Sequence, residues 1–265
     1  MDLKHLEEQL IRICRSQSEN LKAASGRIQQ ANVEEKAYNH LVTEFDKQTE
    51  LNIVNELKLL LPNSGFLTEE NTENNFDSHS VNWIIDPIDG TTNFVYGIPV
   101  FSISIALRAD DEIVLGIVYD PSKDEAFTAI KGGGARLNGE TISVRRTKEL
   151  AKAFLATGFP YFDFDRLDAY LDVLKELLQK SHSMRRMGSA AIDLAYVACG
   201  RFDAFFEYGL SPWDVAAGSL LVTEAGGTVS AFNGKGDFLF DGEIVAGTPL
   251  VQKELKEVIE HHFAT

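Results

Sequence analysis

Between Trp83 and Ile130 the chain repeats one pattern, a short apolar run, a polar turn and another apolar run. The runs are WIID, FSISIALR, EIVLGIVYD and EAFTAI. Their length, β-branched content and flanking turn residues read as strands. Connections as short as residues 109–111 leave no room for a crossover helix, so neighbouring strands must run antiparallel. Asn138-Gly139 adds a further hairpin signal.

Helical patterns flank this sheet. Leu3, Leu6, Leu10 and Ile13 recur at helical spacing behind a capping Asp2. The stretch GRIQQANVEEKAYNHLVTEFD loses that period and reads as a loop or irregular hairpin. Thr43 then caps a second helix, with Leu51, Val54, Leu57 and Leu61 on one face, that ends at Pro62. GFLTEE reads as a short strand and NTENNFDSHS as a polar surface loop. After about residue 148 strands and helices alternate: AFLATGF, DRLDAYLDVLKELLQ, SHSMRRM, SAAIDLAYVACG, RFDAFFE, PWDVAAGSLLVTEAGG, TVSAF, EIVAG, and a closing helix capped by Thr248. The pattern predicts an α/β protein in packed layers, α+β in residues 1–147 and alternating α/β in residues 148–265.

A hydrophobic content of 44% over 265 residues supports a substantial core. The formal net charge of −15 argues against a nucleic-acid partner. The two cysteines, Cys14 and Cys199, form no metal-binding motif and suit a reducing compartment. The N-terminus has no signal-like apolar segment, and no run approaches the roughly 20 apolar residues of a membrane span. Together these predict a soluble, cytoplasmic protein. His261-His262 reads as a solvated helix end.

Carboxylates recur at element ends: Asp46 in LVTEFD, Glu69-Glu70 in LTEE, Asp86 and Asp89 in DPIDGTTN, and Asp214 in PWD. Each has a local explanation. Asp46 and Asp214 suit the first turn of a helix, Asp89-Gly90 suits a turn, and the glutamates suit a solvated strand end. Their combination suggests more. Asp86 is fixed at the end of an apolar strand, and Asp89 turns back toward it after Pro87. Such paired carboxylates can share hard cations, with Mg²⁺ the natural occupant. The following Gly90, Thr91 and Thr92 offer close backbone approach, N–H groups and hydroxyls to a phosphate. No P-loop, dinucleotide fingerprint, HExxH or GxSxG motif is present.

WIIDPIDGTTNFVYGIP and PWDVAAGSLLVTEAGG resemble the two signature motifs of the inositol monophosphatase family. LVTEFD, LTEE and RRMGSAAIDLAYVACGRFDAFFEYGL resemble further family segments in the same order, and the likeness is nearest the bacterial branch. The resemblance implies a five-layered αβαβα sandwich, commonly dimeric. It also implies a Mg²⁺-dependent, lithium-sensitive phosphomonoesterase using two or three ions. It makes Glu70, Asp86, Asp89, Asp214 and the Ile88 carbonyl metal ligands, with Glu69 a supporting carboxylate. Gly90 and Thr91 would hold phosphate, beside Thr92, and Thr91 with Asp46 would orient the attacking water. Substrate hydroxyls would meet Asp89, Ala190, Glu207 and Asp214, with Gly188 and Ser189 shaping the wall. Lys36 would lie on a loop beside the site. His40 stands where many relatives carry an acid, and Ala37-Tyr38 where a glycine-containing turn is common.

The implied reaction is in-line attack of a metal-activated water on a small phosphate monoester, foremost myo-inositol 1-phosphate. Adenosine 3′,5′-bisphosphate phosphatases usually carry Lys-Gly after DGT, where this chain has Thr92-Asn93. Fructose 1,6-bisphosphate and histidinol phosphate are alternative substrates. A regulatory binding protein of transcription complexes is the alternative from another class. Its only obvious basic handle near the site is Arg185-Arg186, a pair better explained by a dimer interface or by ion pairing.

Overall fold

The computed structural model describes residues 1–28, 33–37, 40–76, 80–161 and 164–263, with backbone alone at 33–37 and 40–42. Tyr38 and the side chains of Lys36, Ala37 and His40 therefore lie outside the description. In chain order the elements are α1 (Leu3–Ala24), β1 (Val33–Ala37), β2 (His40–Thr43), α2 (Glu44–Leu60), β3 (Gly65–Thr68), β4 (Val81–Asp89) and α3 (Thr91–Tyr96). Then come β5 (Ser102–Ala109), β6 (Glu112–Asp120), β7 (Glu125–Ile130), β8 (Gly134–Leu137) and β9 (Glu140–Thr141). The remainder is β10 (Phe154–Thr157), α4 (Leu167–Lys180), β11 (Ser183–Arg185), α5 (Ala190–Ala198), β12 (Ala204–Tyr208), α6 (Pro212–Glu224), β13 (Thr228–Ser230), β14 (Glu243–Gly247) and α7 (Pro249–Phe263).

The strands from β3 to β9 form one sheet in sequence order, antiparallel except where β3 joins β4. A second sheet runs β11-β10-β12-β14-β13. The irregular stretch before α2 is the hairpin β1-β2.

Side-chain alternation turns the large sheet into a two-sided core. Trp83, Ile85, Ile105, Leu107, Ile117 and Tyr119 pack on one side with Leu10, Ile13, Ile53 and Leu57 of α1 and α2. Ile84, Ala106 and Val118 face the other side, where α5 and α6 lie between the sheets. The far side of the small sheet packs Leu155, Phe206 and Val245 against Tyr170, Val173, Leu255 and Ile259 of α4 and α7. The order is therefore helix, sheet, helix, sheet, helix, a five-layered sandwich. The middle layer is buried from both sides, which explains the run of small residues in α5 and α6. A Cβ on Gly218 would come within 2.6 Å of Leu194, so the glycine sets how closely α6 approaches α5.

Capping fixes the ends that matter for the site. Thr43 and Asp46 form a capping box at α2, and Ser211 and Asp214 form another at α6. Such caps contribute about 1 kcal/mol each. Thr248 stands at the cap position of the last helix, its carbonyl accepting the Gln252 N–H at 2.8 Å and its hydroxyl donating to the Thr147 carbonyl at 3.1 Å. One expectation changes at the far end of that helix. His262 is only half-buried and sits 2.7 Å from Glu176 of α4 rather than on a fully solvated end.

Candidate active site

The site begins where β4 leaves its ladder. Asp86 follows Ile84 by two residues and so faces the α5–α6 layer, almost wholly buried. The pairing with β5 shifts between Asp86 and Asp89, and the Ile88 N–H donates to Asp86 Oδ1 at 2.9 Å. That irregularity turns Asp89 back to the same side. Asp86, Asp89 and Asp214 offer carboxylate oxygens within 4.8 Å of one another. Asp214 reaches this point because its Oδ2 accepts the Ser211 N–H at 2.6 Å, fixing it over the first turn of α6.

Parallel register selects between the two glutamates. Thr68 pairs with Ile85, and the Glu69 N–H continues the ladder to the Ile85 carbonyl at 3.2 Å. Glu69 therefore runs beside Asp86, and alternation turns the next residue away. Glu69 lines the cleft, and Glu70 does not. This corrects the assignment of Glu70 rather than Glu69 to the carboxylate cluster.

Asp89 binds the first turn of α5. Its Oδ2 accepts from the Ser189 hydroxyl at 2.6 Å and the Ala191 N–H at 2.7 Å. Asn93 Nδ2 donates to the carbonyls of Val100 and Met187, tying α3 to the turn that carries Gly188. Gly90 caps α3 at φ +96°, and a Cβ there would meet the Gly188 carbonyl at 2.9 Å. Only glycine tolerates both the left-handed conformation and that approach.

Thr91 joins this cluster to α2. Its hydroxyl lies 3.1 Å from Asp46 Oδ1 and 3.0 Å from the Ile88 carbonyl. Asp46 Oδ2 is occupied by the Thr43 N–H and hydroxyl, at 2.7 and 2.6 Å. The cap and the contact with Thr91 thus use different oxygens of one carboxylate.

The assembled charges oppose one another. Burial pushes Asp46 up to about 6, against the hydrogen bonds from Thr43. Burial likewise lifts Asp89 to about 6, against Ser189 and Ala191. Asp86 is held well above the usual carboxylate range by burial and then by Glu69, Asp89 and Asp214. Asp214 is raised by burial, Asp89 and Glu69. Glu207 is raised by burial and Asp214, with Arg186 opposing. Hard cations suit this set. The donors are all oxygen, they converge, and their mutual repulsion is relieved by positive charge.

One cleft gathers the expected residues. Glu69, Asp86, Ile88, Asp89, Gly90, Thr91 and Thr92 line one side, facing Gly188, Ser189, Ala190, Glu207 and Asp214. Asp46 stands behind Thr91. The cleft also takes in Gly158, Tyr161 and Trp213, which the sequence alone did not single out, and Arg186, which it placed only near the site. Arg186 packs over the rings of Phe159 and Tyr161 at 5.6 and 5.3 Å. A Cβ on Gly158 would overlap the Glu207 carboxylate, so this glycine makes room for it. GF in AFLATGF was the only local signal for such a contact.

The sequence profile of the inositol monophosphatase family matches residues 2–264. A Nus factor SuhB of Pseudomonas aeruginosa is 43% identical over 256 residues, covering 95% of this chain and 94% of that protein. The crystal structure of the extragenic suppressor protein suhB from Bartonella henselae superposes with a TM-score of 0.92 at 37% identity, covering 97% of this chain and 98% of that one. An IMPase of Thermotoga maritima gives a TM-score of 0.88 at 34% identity, covering 97% of each chain. With the profile match spanning nearly its whole length, this chain belongs to the inositol monophosphatase family.

Proposed function

We propose that the protein is a Mg²⁺-dependent phosphatase of small phosphate monoesters, with myo-inositol 1-phosphate as its foremost substrate. The observation that carries this reading is the convergence of Asp86, Asp89 and Asp214 within 4.8 Å, next to the Gly90–Thr91 turn. Glu69, Asp86, Asp89, Asp214 and the Ile88 carbonyl would hold two or three ions. When bound, they would neutralise the phosphate and lower the cost of ionising water. The chain's own residues do the rest. The first-turn N–H groups of α3 and the hydroxyls of Thr91 and Thr92 receive phosphate oxygens. Thr91 directs its single proton to Asp46, which leaves its lone pairs to orient the attacking water in line. Ser189 and Ala191 hold Asp89 in place. Glu207 accepts a hydroxyl of the leaving alcohol, and Gly188 and Ala190 shape the wall beside it.

The same reading takes the protein as a lithium-sensitive, cytoplasmic homodimer, divided into residues 1–147 and 148–265. The division is supported by the separation of the two sheets, with β9 ending at Thr141 and β10 starting at Phe154. Among the described residues no helix is long and apolar enough to cross a membrane.

The deciding experiment is phosphate release from inositol 1-phosphate, fructose 1,6-bisphosphate, adenosine 3′,5′-bisphosphate and histidinol phosphate, with and without Mg²⁺ and Li⁺. Asp89→Asn should remove most activity while the fold persists. Near-wild-type turnover of that variant at saturating Mg²⁺ would overturn the assignment. A second reading, a part in transcription complexes, is favoured by the name of the Pseudomonas relative. Recovery of RNA polymerase subunits with the purified protein, together with absent phosphatase activity, would place it first.

A further inference from the structure

Glu50 lies four residues beyond Asp46 on α2 and is fully buried. Removing a carboxylate from water costs several kcal/mol, and an apolar side chain would pack more cheaply at such a position. Glu50 is satisfied by neutral donors from the loop after β3. Its Oε2 accepts the Glu70 N–H at 2.7 Å. Its Oε1 accepts the N–H and the hydroxyl of Thr72, at 2.9 and 2.7 Å. Asn71 lies between these donors in the left-handed region, at φ +54°. That reversal lets the N–H groups on either side of it meet one carboxylate.

The consequence falls on Glu69. Its own N–H is held by the Ile85 carbonyl of β4. The peptide that follows it, carrying the Glu70 N–H, is held by Glu50. Glu69 is thus clamped on both sides, from the sheet and from α2. The same helix carries Asp46, so one rigid element sets both the partner of Thr91 and the backbone of Glu69.

We infer that Glu50 is a positioning residue for the cation site, holding the Glu69–Thr72 backbone so that the Glu69 carboxylate stands beside Asp86. This rests on reading Glu69, Asp86, Asp89 and Asp214 as the cation ligands. It separates two properties that a purely structural carboxylate would not, stability without metal and affinity for metal.

The test uses Glu50→Gln, which keeps size but turns an amide NH₂ toward an N–H donor. The Mg²⁺ concentration giving half the maximal rise in Tm is measured, beside the Mg²⁺ dependence of inositol 1-phosphate hydrolysis. Both midpoints should rise about 10-fold or more, as for other groups that orient metal ligands. The loss of turnover at saturating Mg²⁺ should be smaller than this shift. A lower metal-free Tm with unchanged midpoints would reduce Glu50 to a structural role and overturn the inference. Should Glu50→Gln not fold, Thr72→Val removes only the hydroxyl bond, and it should move both midpoints the same way by a smaller factor; unmoved midpoints there overturn it equally. A wild-type protein whose Tm ignores Mg²⁺ would instead remove the cation reading itself.

Discussion

The Ser189 hydroxyl donates to Asp89 Oδ2 at 2.6 Å across a separation of 100 residues. This bond joins the end of β4 to the start of α5. It also fixes which oxygen of Asp89 remains for the cleft. Ser189→Ala should cost about 10–100-fold in kcat/KM or Mg²⁺ affinity, although Ser189 carries no chemistry of its own. Kinetics at varied Mg²⁺ test this, and a change below about 2-fold counts against the arrangement.

The clustered carboxylates make the metal-free protein self-repelling. Asp86→Asn keeps the oxygen that accepts the Ile88 N–H and removes a buried charge opposed by Glu69, Asp89 and Asp214. The metal-free variant should melt a few degrees above the wild type at pH 7.5, where about 1 kcal/mol corresponds to roughly 2–4 °C for a chain this size. It should also lose the Mg²⁺-induced rise in Tm. Calorimetry with and without chelator reads both effects, and a lower metal-free Tm for the variant contradicts the electrostatic account.

Burial of these carboxylates, with Glu69 adding to it, sets a pH dependence of known sign. Asp46 and Asp89 titrate near 6 in the folded chain, above the value of about 3.9 for an unfolded aspartate. The folded state binds more protons between those values. Its stabilising contribution is full below about pH 4 and is lost as the pH rises past about 6. Chelated protein should therefore lose Tm from pH 5 to 8, and saturating Mg²⁺ should flatten that decline. A Tm that climbs over this range in chelator would show the sign to be wrong.

Gly158→Ala tests the leaving-alcohol side alone. The added methyl must displace the Glu207 carboxylate. KM for inositol 1-phosphate should rise about 10-fold, the worth of a hydrogen bond to a charged group, while the Mg²⁺ midpoint stays put. A shifted Mg²⁺ midpoint would mean that Glu207 serves the cations instead.

Much of this site could be read from local pattern. Asp46 and Asp214 sit at helix starts marked by Thr43 and by Ser211-Pro212, and both serve as caps and as site residues at once. Asp86 ends an apolar run, so its burial follows from the strand. Choosing Glu69 over Glu70 required the parallel register with β4, which no short segment specifies. Glu50 looks like one more helix residue until the loop folds back onto it. Gly158 and Arg186 reach the cleft only once the small sheet is packed against the middle helices. Long-range pairing, and not local propensity, decides each of these.

The register of β3 against β4 also constrains how the chain can tolerate insertions. Among the described residues β3 is a short edge strand with β4 as its one neighbour in the sheet. The Phe66 N–H donates to Asn75 Oδ1 at 2.7 Å and the Asn75 N–H to the Phe66 carbonyl at 3.1 Å, so the loop up to Asn75 is folded back on that strand. An added residue between Phe76 and Ser80 leaves the Thr68–Ile85 pairing untouched. One added within Gly65–Thr68 brings a threonine, in place of a carboxylate, beside Asp86. Length differences among related chains should therefore collect after Asn75 and be absent from the four residues before Glu69.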